Sequence, residues 1–559
     1  MENRIIIIGA NAAGAKAAAR ARRMDPRAEI VLIDKGAFIS YGACGIPYYV
    51  SGTVTELKEL MSTPFGVERG SSFFRKFKGV EILTGTTAVG IDRTAKAVTL
   101  HDRESGQSST VRYDKLILAT GSTPAIHPLY NLGCSNILVV KTMADAKLLK
   151  EKAVPGKAVC IVGGGLIGLE MAEALMIRGL RVTVVEMCDQ LLPGVLDSDM
   201  AKLLERHLEE KGVRVITSCQ VFGFDGEITV ERAITNHGEV PADMVVLAPG
   251  VIPDVLLAEE AGLQLGVTGA IAVNERLQTS DPDIYACGDC VEATHLIAGV
   301  KVYVPLASTA NKQGRVAGSN AAGGETTFAG VLGTIIVKVF DFNAGKTGLT
   351  EEEAKAAGYQ VETVLSSAHD RAHFFPGATL IVLKLLADRA TGLVLGLQAV
   401  GPGGVDKRID VAATAMTFGA TVDQLAQLDL AYSPPFSSAM DNLIVAADIM
   451  RNKLAGHARG ITAKAVMRKI EAEEDFLLLD VRSPGESAEY GLKGAIQIPL
   501  DMLREKLGDL PKDKEIIAFC KSSSRGYEAQ KILDAAGFPD VKFLDGGMLT
   551  WPNASWTNL

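Results

Sequence analysis

The sequence lacks the features that mark exported, membrane-spanning and general nucleic-acid-binding proteins. Its 559 residues carry a formal net charge of -9 at pH 7, which excludes the basic excess expected of a general nucleic-acid binder. The apolar run near the start, residues 5–8, is too short for an export signal or a membrane span. We therefore expect a cytoplasmic protein without a nucleic-acid or membrane partner.

Cysteine is scarce and scattered. The chain has eight cysteines, and their spacing does not match a metal site. Cys287 and Cys290 form a Cys-x-x-Cys pair, but no second pair completes a zinc site. We predict reduced and mostly buried thiols and no bound metal, with Cys44 and Cys520 as the two reactive exceptions.

The segment 40–52 lacks a second cysteine. Cys44 lies between Gly42 and Gly45, and the position five residues on, where a dithiol site would have its partner, is Tyr49. A thiol at a helix start has its thiolate stabilised by the helix dipole and free amides, which predicts a lowered pKa. The pattern indicates a redox-active cysteine that takes its second sulfur from another molecule or module.

A first nucleotide-binding unit surrounds this segment. The apolar strand 4–8 leads into the loop Gly9-Ala10-Asn11-Ala12-Ala13-Gly14, then a helix, then a strand over 30–33 that ends at Asp34. An acidic residue 20 positions after Gly14 can bond a ribose hydroxyl. This context predicts a dinucleotide site, although Asn11 replaces the second glycine of the fingerprint.

A second unit of the same kind follows. A strand over 157–162 leads into Gly163-Gly164-Gly165-Leu166-Ile167-Gly168, a helix over 169–178 and a strand over 182–185 that ends at Glu186. This is the full fingerprint, with glycines for the turn, the pyrophosphate approach and the helix packing. The Glu186 carboxylate would repel a 2′-phosphate, which favours NADH over NADPH.

The helix after the first loop has a basic face. Lys16, Arg20 and Arg23 are spaced i, i+4, i+7 and so share one side of the helix. A solvated charge stripe is the alternative interpretation. Because the face lies beside a cofactor loop and near the Cys44 segment, we favour a ligand with several phosphates. Residues 75, 76 and 78, all basic, can extend this patch.

The C-terminal region contains a second reactive cysteine. A strand over 476–479 ends at Asp480, and the apolar strand 516–519 is followed directly by Cys520. The loop from Cys520 to Arg525 opens onto a helix, whose amides stabilise a thiolate or an anionic persulfide, and Arg525 adds positive charge. This pattern predicts sulfur chemistry at Cys520.

These motifs together resemble a known family. Residues 1–449 are similar to the single-cysteine branch of the FAD-dependent pyridine-nucleotide-disulfide reductases, of the coenzyme A-disulfide and persulfide or polysulfide reductase type. Residues 119–124 and 279–289 match turns of two-dinucleotide flavoproteins. The C-terminal region resembles a rhodanese in its Asp-Val-Arg opening, its Cys520 loop, and Leu544-Asp545-Gly546-Gly547 with Trp551.

The resemblance implies the architecture and the cofactors. We expect an α/β chain with two Rossmann-like dinucleotide-binding domains, an α+β dimerisation domain and a C-terminal rhodanese-like α/β domain, in a homodimer. The expected bounds are 1–140 with 268–325 for FAD, 141–267 for NAD, 326–449 for dimerisation, 450–461 for a linker and 462–559 for the rhodanese-like domain. FAD, NADH and coenzyme A are the expected ligands.

The resemblance also implies residue roles. Tyr432, in the Ser-Pro-Pro segment, would act as a donor at Cys44 of the partner subunit. A second family tyrosine is expected within 371–377, where the aromatic positions are phenylalanine and His373 is the substitute. Coenzyme A contacts fall on Lys16, Arg20, Arg23, Ser40, Ala43 and Lys78. Cofactor contacts fall on Gly9, Ala12, Gly14, Asp34, Lys35, Ala119, Gly121, Gly163, Gly165, Gly168, Glu186, Gly250, Asp289 and Pro305.

The sequence thus predicts an NADH-dependent flavoprotein that reduces persulfides, polysulfides or coenzyme A disulfide at Cys44, with Cys520 relaying sulfane sulfur. NADH oxidases and peroxidases, which use one cysteine as a sulfenic acid, are the alternative. They have a histidine in the first glycine loop where this chain has Ala12, which weighs against them. A sulfurtransferase with a structural flavin half is a more distant alternative.

Overall fold

The computed structural model describes residues 3–128, 130 and 133–551. The chain divides into two compact units, one running through residue 187 and resuming over 213–331, the other comprising 188–212 and the chain from 332 onward. Among the described helices, none has both the length and the apolar character that crossing a bilayer requires.

The strands follow one another in chain order as β1 (Arg4–Ile8), β2 (Glu29–Ile33), β3 (Glu81–Leu83), β4 (Thr86–Asp92), β5 (Ala97–Asp102), β6 (Ser108–Arg112), β7 (Lys115–Leu118), β8 (Ser122–Pro124), β9 (Ile137–Val139), β10 (Ala158–Val162), β11 (Arg181–Val185), β12 (Arg214–Ile216), β13 (Val221–Asp225), β14 (Arg232–Thr235), β15 (Gly238–Pro241), β16 (Met244–Leu247), β17 (Val251–Pro253), β18 (Ile284–Ala286), β19 (Ala293–Thr294), β20 (Lys301–Val302), β21 (Ile335–Val339), β22 (Phe342–Gly348), β23 (Val361–His369), β24 (Leu380–Asp388), β25 (Val394–Gly401), β26 (Gly460–Ile461), β27 (Phe476–Asp480), β28 (Ile496–Gln497), β29 (Glu515–Phe519) and β30 (Val541–Leu544).

The helices are α1 (Ala12–Met24), α2 (Ile46–Ser51), α3 (Ser71–Phe73), α4 (Met143–Lys152), α5 (Leu166–Ile177), α6 (Ser198–Glu210), α7 (Leu256–Glu260), α8 (Ala307–Ala321), α9 (Glu351–Ala356), α10 (Val405–Thr417), α11 (Val422–Ala426), α12 (Asn442–Leu454), α13 (Ala463–Glu471), α14 (Pro484–Glu489) and α15 (Ser524–Ala535). Short 3-10 turns lie at Ala43–Gly45, Leu57–Met61, Leu507–Asp509 and Gly547–Thr550, and a π-helical turn at Phe74–Lys78.

The first unit contains two parallel sheets of matching order. One runs β18-β7-β1-β2-β3 and the other β12-β11-β10-β16-β9. Their central strands β1 and β10 are isoleucine- and valine-rich and almost wholly buried, as expected for strands covered on both faces. The glycine loops follow these central strands, so both nucleotide fingerprints lie at the carboxyl edge of a sheet.

Helix α8 returns to the first sheet and packs closely against α1. A Cβ added at Gly314 would lie 2.3 Å from the Ala13 carbonyl oxygen, and one at Gly318 would lie 2.3 Å from the Ala17 carbonyl oxygen. Only glycine therefore lets the two helix backbones touch. This contact brings the basic side of α1 next to Arg315 and Ser319 of α8.

The second unit contains an antiparallel sheet and a parallel one. The antiparallel sheet runs β21-β22-β25-β24-β23, with α10 and α12 packed on it. The parallel sheet runs β26-β30-β29-β27-β28. The predicted fold class, with two Rossmann-like sheets, an α+β region and a rhodanese-like α/β region, is confirmed.

Charge is buried where α6 and the segment before it meet the antiparallel sheet. Lys384 on β24 has a side chain 2% exposed and lies 2.8 Å from Asp199, 3.0 Å from Asp197 and 3.0 Å from Glu351. Despite desolvation, these three carboxylates raise the pKa of Lys384. The lysine stays charged and holds the segment 188–212 to the sheet.

The stretch predicted as a linker is fastened at both ends. Helix α12 continues to Leu454, and β26 pairs with β30. Between them, Arg459 donates to the Val541 carbonyl at 2.9 Å and forms an ion pair with Asp534 at 2.5 Å. Gln530 donates to the His457 carbonyl at 3.3 Å. These bonds hold the stretch against the C-terminal sheet.

Candidate active site

Cys44 is exposed on a 3-10 turn that continues into α2. The turn is held by two backbone bonds, from the Gly42 amide to the Leu60 carbonyl at 2.8 Å and from the Gly45 amide to the Gly42 carbonyl at 2.9 Å. The Ser40 amide donates to the Ala10 carbonyl at 2.9 Å. The cysteine segment is therefore bonded directly to the first glycine loop.

The surroundings of Cys44 do not favour its thiolate. Desolvation by the surrounding protein, and next the carboxylate of Glu170, raise the pKa of the Cys44 thiol, while a backbone hydrogen bond at Cys44 opposes them. The predicted lowering of this pKa by helix amides is therefore wrong in its net direction. Burial, with a smaller effect of Glu173, raises the pKa of Glu170 itself to about 7.

Glu170 was not among the predicted site residues. It lies on α5, which packs against α2 behind Cys44. The signal available in the sequence is a pair of carboxylates, Glu170 and Glu173, in an otherwise apolar helix. Only the packing of α5 on α2 connects that pair to the cysteine.

We expect Glu170→Gln to lower the pKa of Cys44, because it removes a neighbouring carboxylate charge. The measurement is the pH dependence of iodoacetamide alkylation at Cys44, read by mass spectrometry of the peptide. Glu259→Gln, which removes a carboxylate on α7 of the same unit, is the control and should leave the pH midpoint of Cys44 alkylation unchanged. A midpoint that stays put or rises in Glu170→Gln contradicts this account.

Tyr49 occupies the place of a second thiol. The ammonium of Lys150 lies 3.9 Å from the centre of its ring, and the same ammonium donates to the Thr55 carbonyl at 3.4 Å. Such a cation–π contact holds an aromatic ring in place. The position is thus filled by a packed side chain that cannot form a disulfide.

The first glycine loop has the geometry of a dinucleotide site. The Gly9 amide donates to the Ile33 carbonyl at 2.8 Å, and Asp34 accepts from the amides of Ala10 and Gly36, each at 2.7 Å. Asn11 Oδ1 is buried and has no hydrogen-bond partner within the described residues. An unsatisfied acceptor in this loop fits a ligand that carries hydroxyl donors, as the ribose and ribityl parts of FAD do.

The remaining residues of this loop are placed as follows. Ala12 begins α1, and Gly14 packs against the Gly9 carbonyl, where a Cβ would lie 1.8 Å from the oxygen. Gly121, after β7, faces open space, whereas Ala119 donates its amide to the Ile8 carbonyl at 2.8 Å. Lys35 lies 3.3 Å from Asp254 and is largely exposed.

Asp289 is buried beside two further polar groups. Ser122 donates to it at 3.3 Å, and Lys141 donates to Ser122 at 2.9 Å. Burial raises the pKa of Asp289, and the charge of Lys141 opposes this shift. The Tyr303 hydroxyl is buried beside Ser122, and burial raises the pKa of Tyr303. Pro305 follows it on the stretch that leads into α8. Lys141 and Tyr303 were not predicted.

The second glycine loop repeats the arrangement of the first. The Gly163 amide donates to the Val185 carbonyl at 2.8 Å, and the Gly164 amide donates to Glu186 at 2.6 Å. Gly168 packs against the Gly163 carbonyl, whereas Gly165 faces open space. Gly250, after β16, also faces open space and accepts from the Ala125 amide at 3.0 Å. The open faces leave room for a pyrophosphate, so the loop fits a dinucleotide.

The basic face on α1 has a neighbour on α8. Arg20 donates from Nε to Ser319 Oγ at 2.7 Å. Partial desolvation, followed by the charges of Arg315 and Arg23, lowers the pKa of Arg20. Lys16 and Arg23 are exposed. Like charges held together, with no ion pair to a carboxylate in the described part of the chain, indicate an anion site. Arg315 was not predicted, because its approach depends on the α1–α8 contact.

Only part of the predicted extension of the basic face can bind an anionic ligand. Arg75 is bound by Glu81 through two contacts of 2.8 and 3.2 Å. Lys78 lies 5.5 Å from the centre of the Phe73 ring. Arg22, in the same helix as the basic face, instead donates to the Gly79 carbonyl at 2.7 Å. Among the described residues, Lys78 therefore has no carboxylate partner, whereas Arg75 is paired with Glu81.

Tyr432 lies in the second unit and is 52% exposed. It lines a cavity of about 440 Å³ together with His369, His373 and Ser522. Ser522 belongs to the loop that follows Cys520. The structure thus brings Tyr432 and the Cys520 loop to one cavity, which the sequence did not predict.

Cys520 is buried at the end of β29. Arg525, at the start of α15, is held by Glu486 through two bonds of 2.7 Å. The hydrogen bond to Glu486, with a further contribution from neighbouring Cys520, raises the pKa of Arg525. The same ion pair lowers the pKa of Glu486 to about 2. Glu486 was not predicted, and it fixes the arginine beside the cysteine.

The Cys520 loop rests on the segment after β30. The Met548 amide donates to the Cys520 carbonyl at 2.9 Å, and the Leu549 amide donates to the Lys521 carbonyl at 3.1 Å. Asp545, at the start of this segment, is buried and forms an ion pair with Lys453 of α12. The lysine also donates to the Thr363 carbonyl at 2.7 Å. Lys453 of α12 therefore anchors the segment on which the Cys520 loop rests.

Comparison with known proteins agrees with this arrangement. Residues 3–314 match the pyridine nucleotide-disulphide oxidoreductase family, residues 334–444 its dimerisation domain, and residues 462–554 the rhodanese-like domain. The predicted resemblance is confirmed.

This chain aligns with nearly the whole length of each of three similar proteins. An NAD(P)H coenzyme A polysulfide/persulfide reductase of Pyrococcus horikoshii is 37% identical over 453 residues, covering 81% of this chain and 99% of the relative. An NADH oxidase of Methanocaldococcus jannaschii is 37% identical over 455 residues, covering 81% and 99%. The structure of an NAD-dependent persulfide reductase from A. fulgidus matches with a TM-score of 0.93 and 44% identity, covering 98% of this chain and 100% of that one.

The match to both halves of the chain settles its family. The glycine loops, the exposed cysteine and the Cys520 loop all lie within the matched residues. The chain belongs to the pyridine nucleotide-disulphide oxidoreductase family and carries a rhodanese-like domain at its C-terminal end.

Proposed function

We propose that the protein uses NADH and FAD to reduce persulfides, polysulfides or coenzyme A disulfide at Cys44, and that Cys520 brings in sulfane sulfur. The observation that carries this proposal is the placement of Cys44. It is an exposed cysteine, bonded through its segment to a dinucleotide loop, with a packed tyrosine where a partner thiol would be. Such a site needs its second sulfur from a substrate.

The two glycine loops have separate roles in this proposal. The first, with Gly9, Gly14, Asp34 and Asp289, would hold FAD, and the second, with Gly163, Gly168 and Glu186, would hold NADH. Bound FAD supplies the means of passing an electron pair from the nicotinamide to sulfur. The chain's own contribution is to position Cys44 at the first loop and to bind the sulfur substrate.

Coenzyme A would bind on the basic face. Lys16, Arg20 and Arg23, with Arg315 nearby, present positive charge for phosphates. Lys78 adds charge from the π-helical turn, and Ser40 and Ala43 flank the cysteine. This arrangement directs the thiol end of the ligand toward Cys44.

The chemistry at Cys44 follows from its thiolate. The thiolate attacks the inner sulfur of a persulfide, the sulfur–sulfur bond breaks, and hydrosulfide leaves with the electron pair. Cys44 is then in a mixed disulfide with the carrier thiol. Bound FAD and NADH would supply the two electrons that reopen that disulfide and restore the thiolate. Tyr432 of the partner subunit would donate the proton that the leaving group needs.

An anaerobic assay tests this function. NADH consumption is measured with polysulfide, with coenzyme A disulfide and with hydrogen peroxide, and oxygen is tested separately in air. We expect hydrosulfide release from polysulfide at a rate well above the consumption of peroxide or oxygen. Mass spectrometry of the purified protein should find coenzyme A linked to Cys44. Faster turnover of oxygen or peroxide than of every sulfur substrate overturns the proposal.

The second candidate is an NADH oxidase, favoured by the similarity to the Methanocaldococcus jannaschii protein. Reduction of peroxide through a cysteine sulfenic acid would benefit from a neighbouring acid, and the first glycine loop has Ala12 where related enzymes have histidine. The same assay distinguishes the two candidates, because only the first predicts hydrosulfide.

A further inference from the structure

The cavity beside Tyr432 has an unusual lining. Its walls come from the end of β23, the loop over 370–379, the segment 432–439 and the Cys520 loop. The polar groups that face it are two imidazoles, one phenol and three hydroxyls; the other lining residues are alanine, leucine and phenylalanine. No carboxylate and no lysine or arginine is among the lining residues described. All six polar groups can donate hydrogen bonds.

The two imidazoles are held close to each other. The ring centres of His369 and His373 lie 6.3 Å apart, and His373 packs edge-on against Phe374 at 5.5 Å. His369 ends β23 and pairs with Leu380 across the sheet. At this spacing both imidazoles can donate hydrogen bonds to one ligand.

The loop that carries His373 is fixed. Asp370 accepts from the Thr379 amide at 3.0 Å and is bound by Arg371 at 2.7 Å. Ser438 donates to the Arg371 carbonyl at 3.1 Å. These bonds engage the carboxylate of Asp370, so it does not oppose an anion in the cavity, and they join the histidine loop to the Tyr432 segment.

One hydroxyl in the cavity is unsatisfied. Ser367 Oγ is buried and has no hydrogen-bond partner within the described residues. A buried polar group without a partner is uncommon and points to a bound molecule. Apolar contacts from Ala368, Ala372 and Leu380 border it. The site therefore combines donors for a charge with an apolar wall that suits a polarisable sulfur atom.

We propose that this cavity binds a sulfane-sulfur anion as the donor for Cys520, with His369 and His373 completing the donor site of the rhodanese-like domain. The ligand carries a terminal S–S group with negative charge, either inorganic or on a small organic thiol. The inference rests on the role proposed above for Cys520 in sulfur transfer, and it adds residues of the dimerisation region to that role. Ser522 connects the cavity to the Cys520 loop.

The donor itself supplies the leaving group of the sulfur-transfer step. The Cys520 thiolate attacks the outer sulfur of thiosulfate, the S–S bond breaks, and sulfite leaves with the electron pair. With glutathione persulfide, the leaving group is the glutathione thiolate. In both cases Cys520 becomes a persulfide, and cyanide then removes the outer sulfur as thiocyanate and restores the thiolate.

The test uses the full-length protein without NADH, so that reduction at Cys44 does not contribute. Thiocyanate formation is followed with thiosulfate and, separately, with glutathione persulfide. We expect His369→Gln/His373→Gln to raise the KM for the donor about tenfold, with kcat unchanged, because two hydrogen bonds to a charged group are weakened. His237→Gln, at an exposed histidine of the first unit, is the control and keeps the wild-type KM.

The outcomes separate the possible donors. A raised KM for one donor only identifies it as the inorganic or the organic source, and a raised KM for both supports the shared chemistry. Ala439→Phe, which narrows the cavity from an exposed position, should raise the same KM. This variant replaces the double variant in the test if the double variant does not fold.

Three results would overturn the inference. They are an unchanged donor KM in the folded double variant and in Ala439→Phe, a fall in kcat at constant KM, or no sulfur transfer from either donor in the wild-type protein. Failure of NADH-dependent sulfur reduction is a separate result. It would overturn the function proposed for Cys44 and leave the donor KM measurable.

Discussion

Cys44→Ser should lose NADH-dependent hydrosulfide release from polysulfide by a factor of about 10³ or more, the scale of losses seen when a catalytic nucleophile is removed. A serine hydroxyl stays protonated at neutral pH and cannot form a disulfide with the substrate. In this chain Tyr49 offers no substitute sulfur. The measurement is anaerobic turnover of NADH with hydrosulfide quantified in parallel.

The matched control is Cys134→Ala. Cys134 is buried in a hydrophobic cluster of the first unit, so its removal leaves the Cys44 segment untouched. We expect wild-type turnover within a factor of about two, since the change is conservative and lies outside the Cys44 segment and both glycine loops. Retention of polysulfide reduction within tenfold of wild type in Cys44→Ser would show that another group carries the reaction.

Lys453→Met should destabilise the C-terminal domain by about 3–5 kcal/mol, because it leaves the buried carboxylate of Asp545 without its partner. The side chains of Lys453 and Asp545 are 4% and 2% exposed. One oxygen of Asp545 has no hydrogen-bond partner among the described residues, so little else compensates its charge. The loss should also loosen the support of the Cys520 loop.

Tryptophan fluorescence during denaturant unfolding measures this effect. The chain's two tryptophans, Trp551 and Trp556, lie near its C-terminal end, so the signal reports on that domain. Lys453→Met/Asp545→Asn is the control, and it should recover most of the lost stability because no unpaired charge is then buried. If the single and double variants are equally unstable, the lysine contributes by packing and not by charge.

The stability of the Lys453→Met variant should depend on pH in a defined direction. Burial raises the pKa of Asp545, and Lys453 opposes that shift. Without the lysine, the native state holds the Asp545 proton to higher pH than the unfolded state does. Stability then falls as pH rises from the unfolded pKa toward the folded one. Lys453→Met should therefore be less destabilised at pH 5 than at pH 8.

The sequence predicted the elements whose signals are local. Each glycine loop lies directly after a buried strand and before a helix, and its acidic residue ends the next strand, so spacing alone located Gly9, Asp34, Gly163 and Glu186. The Cys520 loop was found in the same way, since the strand, cysteine and helix are contiguous in the chain. In these places the geometry is set by neighbours in the sequence.

Features that depend on distant packing were not predicted. Arg315 approaches Arg20 because two glycines let α8 touch α1, and Glu170 affects Cys44 because α5 packs on α2. The pKa of Cys44 had the wrong predicted direction for the same reason: the helix amides were visible in the sequence, but the opposing carboxylate and the desolvation were not. The joining of His369 to Ser522 in one cavity is a further case.

The Lys453–Asp545 pair has an evolutionary consequence. The Pyrococcus horikoshii relative aligns over 99% of its length to 81% of this chain, so it is about a fifth shorter, and a relative of that length that ends after α12 lacks the C-terminal module. In such a protein a lysine at this point of the last helix would have no aspartate to meet. The lysine would keep the Thr363 carbonyl as a partner but lose the buried anion. In an alignment of related genes, a lysine at this position should therefore be more frequent in chains that carry the module than in chains without it.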